Sequence, residues 1–473
     1  MSANNSEAFA CLWQDLINQF TGKPISVNFK DFIIKNTQEK RSDVYTHYFH
    51  SYPAKMFPYL PIFFYSIPQL CPSDGLVLDP FCGSGTTLLE SLVHPFFPRD
   101  ALGVEMNPLG RLIAKVKTTP IDSEVLQDKI GGLKKRVREA TTIKPNVPES
   151  KKIKFWFSEQ AIVELSKIKY LIEEQEDDFN DCNDFLWLCF SSIVRKVSLA
   201  DPYIPPPVLL KLTKYEQAPD KHRYLSKYLK EAKAPNLINI YLNVLEKNFD
   251  RIHQLNQKLD HKNSSPKARI IWDDARGIKM GALSKKGQLN KITAKNLDSN
   301  SVDLILTSPP YLSAQKYIRT LTLELLWLDL LSEDQLGYLD RQIIGTERTS
   351  HKEIDISQEI NIKSVDDLVK WSSFRSRERT AIVLNYFLGM QRAISEMYRV
   401  LKKDACAIIV IGNNQVLGKK IKTYSIIADI AIDAGFELKL VLVDTIRGRG
   451  MITRRHGTGG LIKEEYAVVL KKC

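Results

Sequence analysis

Residues 75–118 constrain this chain more than any other stretch. Gly75 to Asp79 (GLVLD) reads as a buried strand, and Pro80-Phe81-Cys82-Gly83-Ser84-Gly85 follows as a glycine-rich turn. Thr86 to Val93 reads as a helix, and Ala101 to Glu105 (ALGVE) as a second strand. Asn107 and Pro108 then cap and start a helix that carries Leu109, Leu112, Ile113 and Val116 on one face. Strand, helix, strand, helix in that order argues for a parallel sheet with helices on its faces. Parallel neighbours need a crossover and cannot be joined by a tight hairpin.

Past residue 120 the alternation stops. Residues 121–265 read as mostly helical, with proline joints at Pro202 and Pro205–Pro207. Afterwards it resumes. Ala268 to Trp272 and Val302 to Thr307 read as strands. Asn385 to Lys402 fits a helix with Phe387, Met390, Ile394, Met397 and Leu401 at helical spacing. Ala405 to Ile411 reads as a central strand and Ser425 to Ala434 as a helix, and Phe436 to Val443 and Tyr466 to Leu470 read as the last strands. The expected organisation is one α/β domain (1–120 and 266–473) interrupted by a helical insertion (121–265). The 473 residues are ample for a buried core without a disulfide or metal staple.

Composition narrows the function classes. Apolar residues make up 44% and charged residues 26%, which excludes a disordered, collagen-like or disulfide-scaffold protein. Lys and Arg number 67 against 55 Asp and Glu, a formal charge of +12. That excess favours a polyanionic partner such as nucleic acid over a neutral one. The seven cysteines are scattered, with no CxxC pair and no zinc spacing, so a reduced cytoplasmic protein without a metal is expected. The N-terminus lacks the basic start and apolar run of a signal peptide. The densest apolar run, Phe185 to Val194, is far shorter than the roughly 20 residues that span a bilayer, so no membrane partner is expected.

Two short motifs carry the chemistry. Gly83 and Gly85 allow a tight turn that a ligand can approach closely, and Glu105 ends the next strand, where a doubly wound fold places a carboxylate for ribose hydroxyls. A plain tight turn is the alternative. A phosphate-binding P-loop is disfavoured because no Lys stands in its GK[ST] slot, and the dinucleotide fingerprint lacks its third glycine. The second motif, Ser308-Pro309-Pro310-Tyr311, ends a strand. Adjacent prolines cannot continue a ladder and hold the preceding carbonyls in fixed directions. Rigid acceptors beside an aromatic face suit a planar base with an exocyclic amine; a bare Pro-Pro strand terminator is the alternative.

Together the motifs resemble those of the S-adenosylmethionine-dependent amino-methyltransferases of DNA. That family combines an FxGxG turn, here Phe81-Cys82-Gly83-Ser84-Gly85, with a [DNS]PP[YF] tetrapeptide, here Ser308-Pro309-Pro310-Tyr311. His50-Ser51-Tyr52-Pro53-Ala54-Lys55-Met56-Phe57-Pro58 is similar to the family's segment before the first strand. Asp273-Asp274-Ala275-Arg276 is similar to its acidic end of strand three. The resemblance implies a Rossmann-like, doubly wound, mostly parallel seven-stranded sheet and S-adenosylmethionine as cofactor. It implies that Pro80, Phe81, Gly83, Gly85, Thr86 and Asn107 line the cofactor and that Asp79 meets its amino group. Glu105 would bind the ribose and Asp274 the adenine, with Asp273 able to exchange roles with Asp274. Lys55 would neutralise the methionine carboxylate, a surface lysine being the alternative.

By the same resemblance, Ser308 and the Pro309 carbonyl accept hydrogen bonds from the amine while Tyr311 stacks on a flipped base. Ser in the first motif position is commoner among cytosine-N4 enzymes and Asp among adenine-N6 enzymes. Double-stranded DNA is the expected partner, with a cognate restriction endonuclease in a bacterial or phage setting. The insertion is the candidate target-recognition domain, with Arg195 and Lys196 as phosphate contacts. Arg447, Arg449, Arg454 and Arg455, in a glycine-rich stretch without acidic residues, also suit a phosphate backbone; a solvated hairpin is the rival reading. The other activities weighed are adenine-N6 methylation, RNA base-amine methylation, and a catalytically silent DNA-binding subunit. A protein-glutamine methyltransferase has a similar core, but its tetrapeptide starts with Asn.

Overall fold

Eight strands form one sheet. They are β1 (Ile25–Ser26), β2 (Val77–Asp79), β3 (Ala101–Val104), β4 (Ala268–Trp272), β5 (Val302–Thr307), β6 (Leu401–Gly412), β7 (Phe436–Thr445) and β8 (Glu464–Lys472). The structure is a computed structural model and describes residues 2–37, 44–53, 55–139, 146–175, 181–259, 266–312, 316–348, 354–445 and 463–473. In space the strands run β1-β7-β8-β6-β5-β2-β3-β4. Pairings from β4 through β6 are parallel, and β8 enters antiparallel between β6 and β7. All seven expected strands are present. The eighth, β1, is a two-residue edge strand with no apolar run to announce it.

The chain steps outward from β2 through β3 to β4, then returns to β5 on the other side of β2. Val77 and Leu78 pair with Leu304 and Ile305. Strand order therefore reverses between β2 and β5, the point at which open α/β sheets form a ligand cleft outside the strands' carboxyl ends. The two motifs of the sequence lie at those ends.

The central strands are buried on both faces, so successive residues enter two different cores. Leu78, Ile305, Ile409 and Val468 face one core with Phe387, Met390, Ile394 and Met397 of the helix Arg377–Val400. Val77, Leu304, Leu306 and Ile408 face a second core with Phe63 and Phe64. The helix begins eight residues earlier than its apolar spacing suggests, because Ser376 caps it through the Arg379 amide. It stops at Val400, where β6 starts at once.

Two helices flank the cleft, α1 (Thr86–Leu92) and α2 (Pro108–Thr118). Asn107 caps α2 by accepting from the Leu109 amide, as its sequence predicts. The insertion is helical, and α3 (Asp181–Val194) packs Phe185 and Trp187 in one core with Leu109, Leu112 and Ile113 of α2. Asp184 fastens that contact. Its carboxylate meets Lys115 Nζ at 2.8 Å and accepts from the Lys286 amide at 2.8 Å. Among the described residues, segment 331–379 holds the helices Glu333–Gln342 and Lys363–Ser373 and the start of Arg377–Val400, and Val365, Leu368 and Val369 of the second join the sheet's core. Among the described residues no helix is long and apolar enough to cross a membrane.

Candidate active site

The glycine turn is held from below by one carboxylate. Asp79, 2% exposed at the end of β2, accepts from the Phe81 amide at 3.0 Å, from Thr87 Oγ1 of α1 at 2.5 Å and from Thr307 Oγ1 of β5 at 2.5 Å. Burial raises its pKa to about 6 against the pull of those three donors. The folded state therefore holds this proton more tightly than the unfolded chain. The stability it contributes is full below about pH 4 and is lost as pH rises through about 6, on the order of 3 kcal/mol. Asp79→Asn is expected to flatten that part of the stability profile. Urea unfolding of wild type and variant between pH 4 and 7 measures it, and parallel profiles would refute the assignment.

Above Asp79 the turn has the shape of a cradle. Gly83 and Gly85 have φ of +53° and +73°. A Cβ on Gly85 would lie 3.0 Å from Ala114 Cβ and 3.1 Å from its Cα. Glu105, just past β3, closes one side. Its carboxylate accepts from the Gly83 amide at 2.9 Å, the Asn107 amide at 2.8 Å and Tyr52 Oη at 3.3 Å. Burial pushes the Glu105 carboxyl up, opposed first by the Asn107 amide and then by Arg111. Asn107 is fully buried, and its Nδ2 has no hydrogen-bond partner among the described residues. A side-chain-free turn, a carboxylate at the strand end and an unpaired buried donor fit the ribose and methionine portions of S-adenosylmethionine.

The remaining expected cofactor residues divide. Phe81 packs at the edge of the sheet's core, Pro80 is buried, and Thr86 is buried at the start of α1. Thr86 accepts from Lys117 Nζ at 3.3 Å. Lys117 is itself buried, and burial followed by the like charge of Lys55 lowers its pKa well below the usual value. Lys55 donates to the carbonyls of His47 and His50 at 3.0 and 2.6 Å, and burial lowers its pKa to about 8. Asp274 is clamped by Arg276, at 2.9 Å from Nη2 and 2.9 Å from Nε. Asp273 pairs with Lys291 and also acts on Arg111, whose guanidinium bonds the Glu105 carbonyl. Asp273 is thus the carboxylate of the pair on the Glu105 side.

The second motif stands across the switch point. Ser308 follows β5 directly, and Thr307 before it is the residue that bonds Asp79. The Tyr311 hydroxyl donates to Glu465 Oε1 of β8 at 3.0 Å. Asn414 Nδ2 fixes the chain just beyond by donating to the Leu312 carbonyl at 2.7 Å. Burial raises the Tyr311 phenol well above its usual range.

Of the expected nucleic-acid contacts, Arg195 is spent inside the protein. Its guanidinium donates to the carbonyls of Pro205 at 2.7 Å, Ile204 at 2.5 Å, Asp201 at 3.4 Å and Thr320 at 3.2 Å. It braces the proline loop against the helix that follows the second motif. Lys196 is exposed beside it. Arg447, Arg449, Arg454 and Arg455 lie outside the described residues. Sequence reasoning did not single out Thr307, Thr87, Tyr52, Lys117 or Glu465. A threonine ending a strand and a glutamate near the start of one carry no pattern of their own.

No protein-family model matches the chain. It is 29% identical over 432 residues to the type II methyltransferase M.MvaI of Kocuria varians, a match spanning 88% of this chain and 87% of that protein. The type II methyltransferase M.AvaI of Nostoc sp. is 29% identical over 184 residues, 36% of this chain and 37% of that protein. M.MjaII of Methanocaldococcus jannaschii is 30% identical over 89 residues, 19% of this chain and 16% of that protein. The sheet order and a cradle facing Glu105 agree with this likeness to a methyltransferase over nearly the whole chain.

Proposed function

We propose that the protein methylates the exocyclic amine of a base in double-stranded DNA, with cytosine N4 favoured over adenine N6. The observation that carries this reading is Ser308-Pro309-Pro310-Tyr311 at the carboxyl end of β5, linked through Thr307 and Asp79 to the cofactor turn. The type II designation of the relatives supports a restriction–modification setting with a cognate endonuclease.

When bound, S-adenosylmethionine supplies an electrophilic methyl group. Glu105 binds the ribose, Asp273 the adenine amine, and the free donor of Asn107 a cofactor oxygen. Asp79 supports the turn, and a remaining lone pair of its carboxylate receives the cofactor ammonium. A base amine is a poor nucleophile because its lone pair is delocalised into the ring. Ser308 Oγ and the Pro309 carbonyl accept its two hydrogens, favour the pyramidal form and stabilise the charge that grows on nitrogen. Catalysis is then positioning plus electrostatics. Tyr311, anchored through its hydroxyl, presents its ring to the flipped base.

The insertion supplies the reading surface. Tyr203 is 43% exposed on the loop that Arg195 braces. The Lys221 ammonium sits 5.5 Å from its ring centroid, and the Tyr224 ring is 6.2 Å away. Exposed aromatics among lysines suit stacking and phosphate contact together.

Nucleoside mass spectrometry on DNA from cells expressing the protein tests the reading. N4-methylcytosine is the expected product, reduced when Tyr203→Ala and Lys221→Glu are combined. N6-methyladenine instead would overturn the choice of base, and neither nucleoside would overturn the function. An undiminished yield from the double variant would remove the loop from recognition.

A further inference from the structure

The two ends of the sheet treat their lysines differently. At the end away from the two motifs, Lys402 of β6 pairs with Asp303 of β5 at 2.7 Å, and Lys471 of β8 pairs with Asp404 at 2.8 Å. At the carboxyl end of β6 the chain turns into a short hairpin, Asn414–Val416 and Lys419–Ile421, that holds no acidic residue. Lys419, Lys420 and Lys422 are exposed there, and among the described residues none of them is in an ion pair.

The hairpin is held firmly beside the second motif. Asn414 Nδ2 donates to the Leu312 carbonyl at 2.7 Å, and Val416 and Ile421 are buried in the sheet's core. Leu417 and Gly418, with φ of +47° and +84°, make the two-residue turn whose twist matches its strands. Lys419 is placed by Trp371 of the helix Lys363–Ser373. Its ammonium lies 4.7 Å from the indole centroid, and the exposed Arg375 guanidinium lies 4.4 Å from the same ring. The nearest acids along that helix, Asp366 and Asp367, stand a turn before Trp371, and Asp366 already accepts from the Ile360 amide at 2.9 Å.

Like charges gathered on a rigid frame repel one another, and a row of phosphates relieves that repulsion. We propose that the hairpin, with Trp371 and Arg375, is a docking surface for the phosphodiester backbone of the DNA strand that carries the target base. This rests on the reading of the protein as one that acts on DNA. The turn lies about 7 Å along the strand from Asn414. Over that reach a DNA strand presents about two phosphates, enough to engage the three lysines. Such contacts fix where the strand lies and carry no sequence information, which leaves sequence to the insertion.

The test measures binding of the full chain to a fluorescein-labelled duplex of random sequence by anisotropy, across a range of salt concentrations. Lys419→Gln, Lys420→Gln and Lys422→Gln combined should bind about 10-fold more weakly and reduce the slope of log affinity against log salt by about 2–3. Trp371→Ala releases Lys419 without removing its charge and should weaken binding about threefold. The same loss of three charges at the opposite end, Lys402→Gln, Lys403→Gln and Lys471→Gln, should leave affinity within about twofold, because screening isolates distant charges. Circular dichroism checks that each variant is folded. Unchanged affinity and slope in the hairpin variant would overturn the proposal, and so would an equal loss in the opposite-end variant, which would reduce the effect to net charge. Transfer of label from tritiated S-adenosylmethionine to unmethylated DNA separates this surface from the activity. Hairpin-dependent binding without transfer keeps the surface and overturns the methylating activity. Transfer with hairpin-independent binding keeps the activity and overturns the surface, and a wild type that binds no duplex overturns both.

Discussion

Ser308→Ala is expected to lower kcat by at least about 100-fold while leaving S-adenosylmethionine affinity within about twofold. Removing one preorganised partner of a developing charge costs about 10²–10³ in kcat where it has been measured. Ser308 stands at the end of β5, across the switch point from Glu105 and Asn107, and makes none of their bonds. The variant also strands little, because the Tyr311 hydroxyl keeps its bond to Glu465. Radiolabelled methyl transfer gives kcat and calorimetry gives affinity. An unchanged kcat would remove Ser308 from the chemistry, and a matching loss of cofactor affinity would move it to the binding site.

Gly85→Ala is expected to be the most damaging single-methyl change in the cradle. At φ +73° a side chain costs about 1–2 kcal/mol. The new Cβ would press on Ala114 at 3.0–3.1 Å, and part of that contact is backbone that cannot swing aside. Overpacking of this kind adds about 1–3 kcal/mol. The sum, about 3 kcal/mol, corresponds to a Tm lower by about 3 °C in a chain of 473 residues. Relief by pushing α1 off α2 would also tilt the amides above Asp79, so cofactor affinity should fall with stability. A variant with wild-type Tm and affinity would contradict the tight α1–α2 approach.

The sheet was legible because its central strands are buried on both faces, which leaves apolar runs such as Val302 to Thr307. The glycine turn was legible because few residues tolerate positive φ, and the second motif because paired prolines end a ladder. Partnership between distant polar side chains left no trace in the sequence. Glu465, second in β8 after Glu464, reads as surface charge, yet it bonds Tyr311. Arg195 reads as a phosphate contact because a guanidinium matches phosphate and carbonyl oxygens equally well; four carbonyls hold it here. Asp274 and Asp273 are indistinguishable in sequence and differ in what their neighbours, Arg276 and Lys291, do with them.

The carboxylate of Asp79 joins Thr87 and Thr307, residues 8 and 228 positions from it along the chain. The glycine turn and the Ser308 motif are therefore gauged against each other by one rigid spacer at the base of the cleft. The long stretch between the two motifs does not enter that measurement. An insertion between β3 and β4 can lengthen or be exchanged at a loop-closure cost that grows only logarithmically, while a displacement of about 1 Å at the spacer itself would cost about 100-fold in rate. On the proposed function, target choice and methyl transfer are mechanically separable, so the insertion is free to diverge while the distance between the two motifs stays fixed.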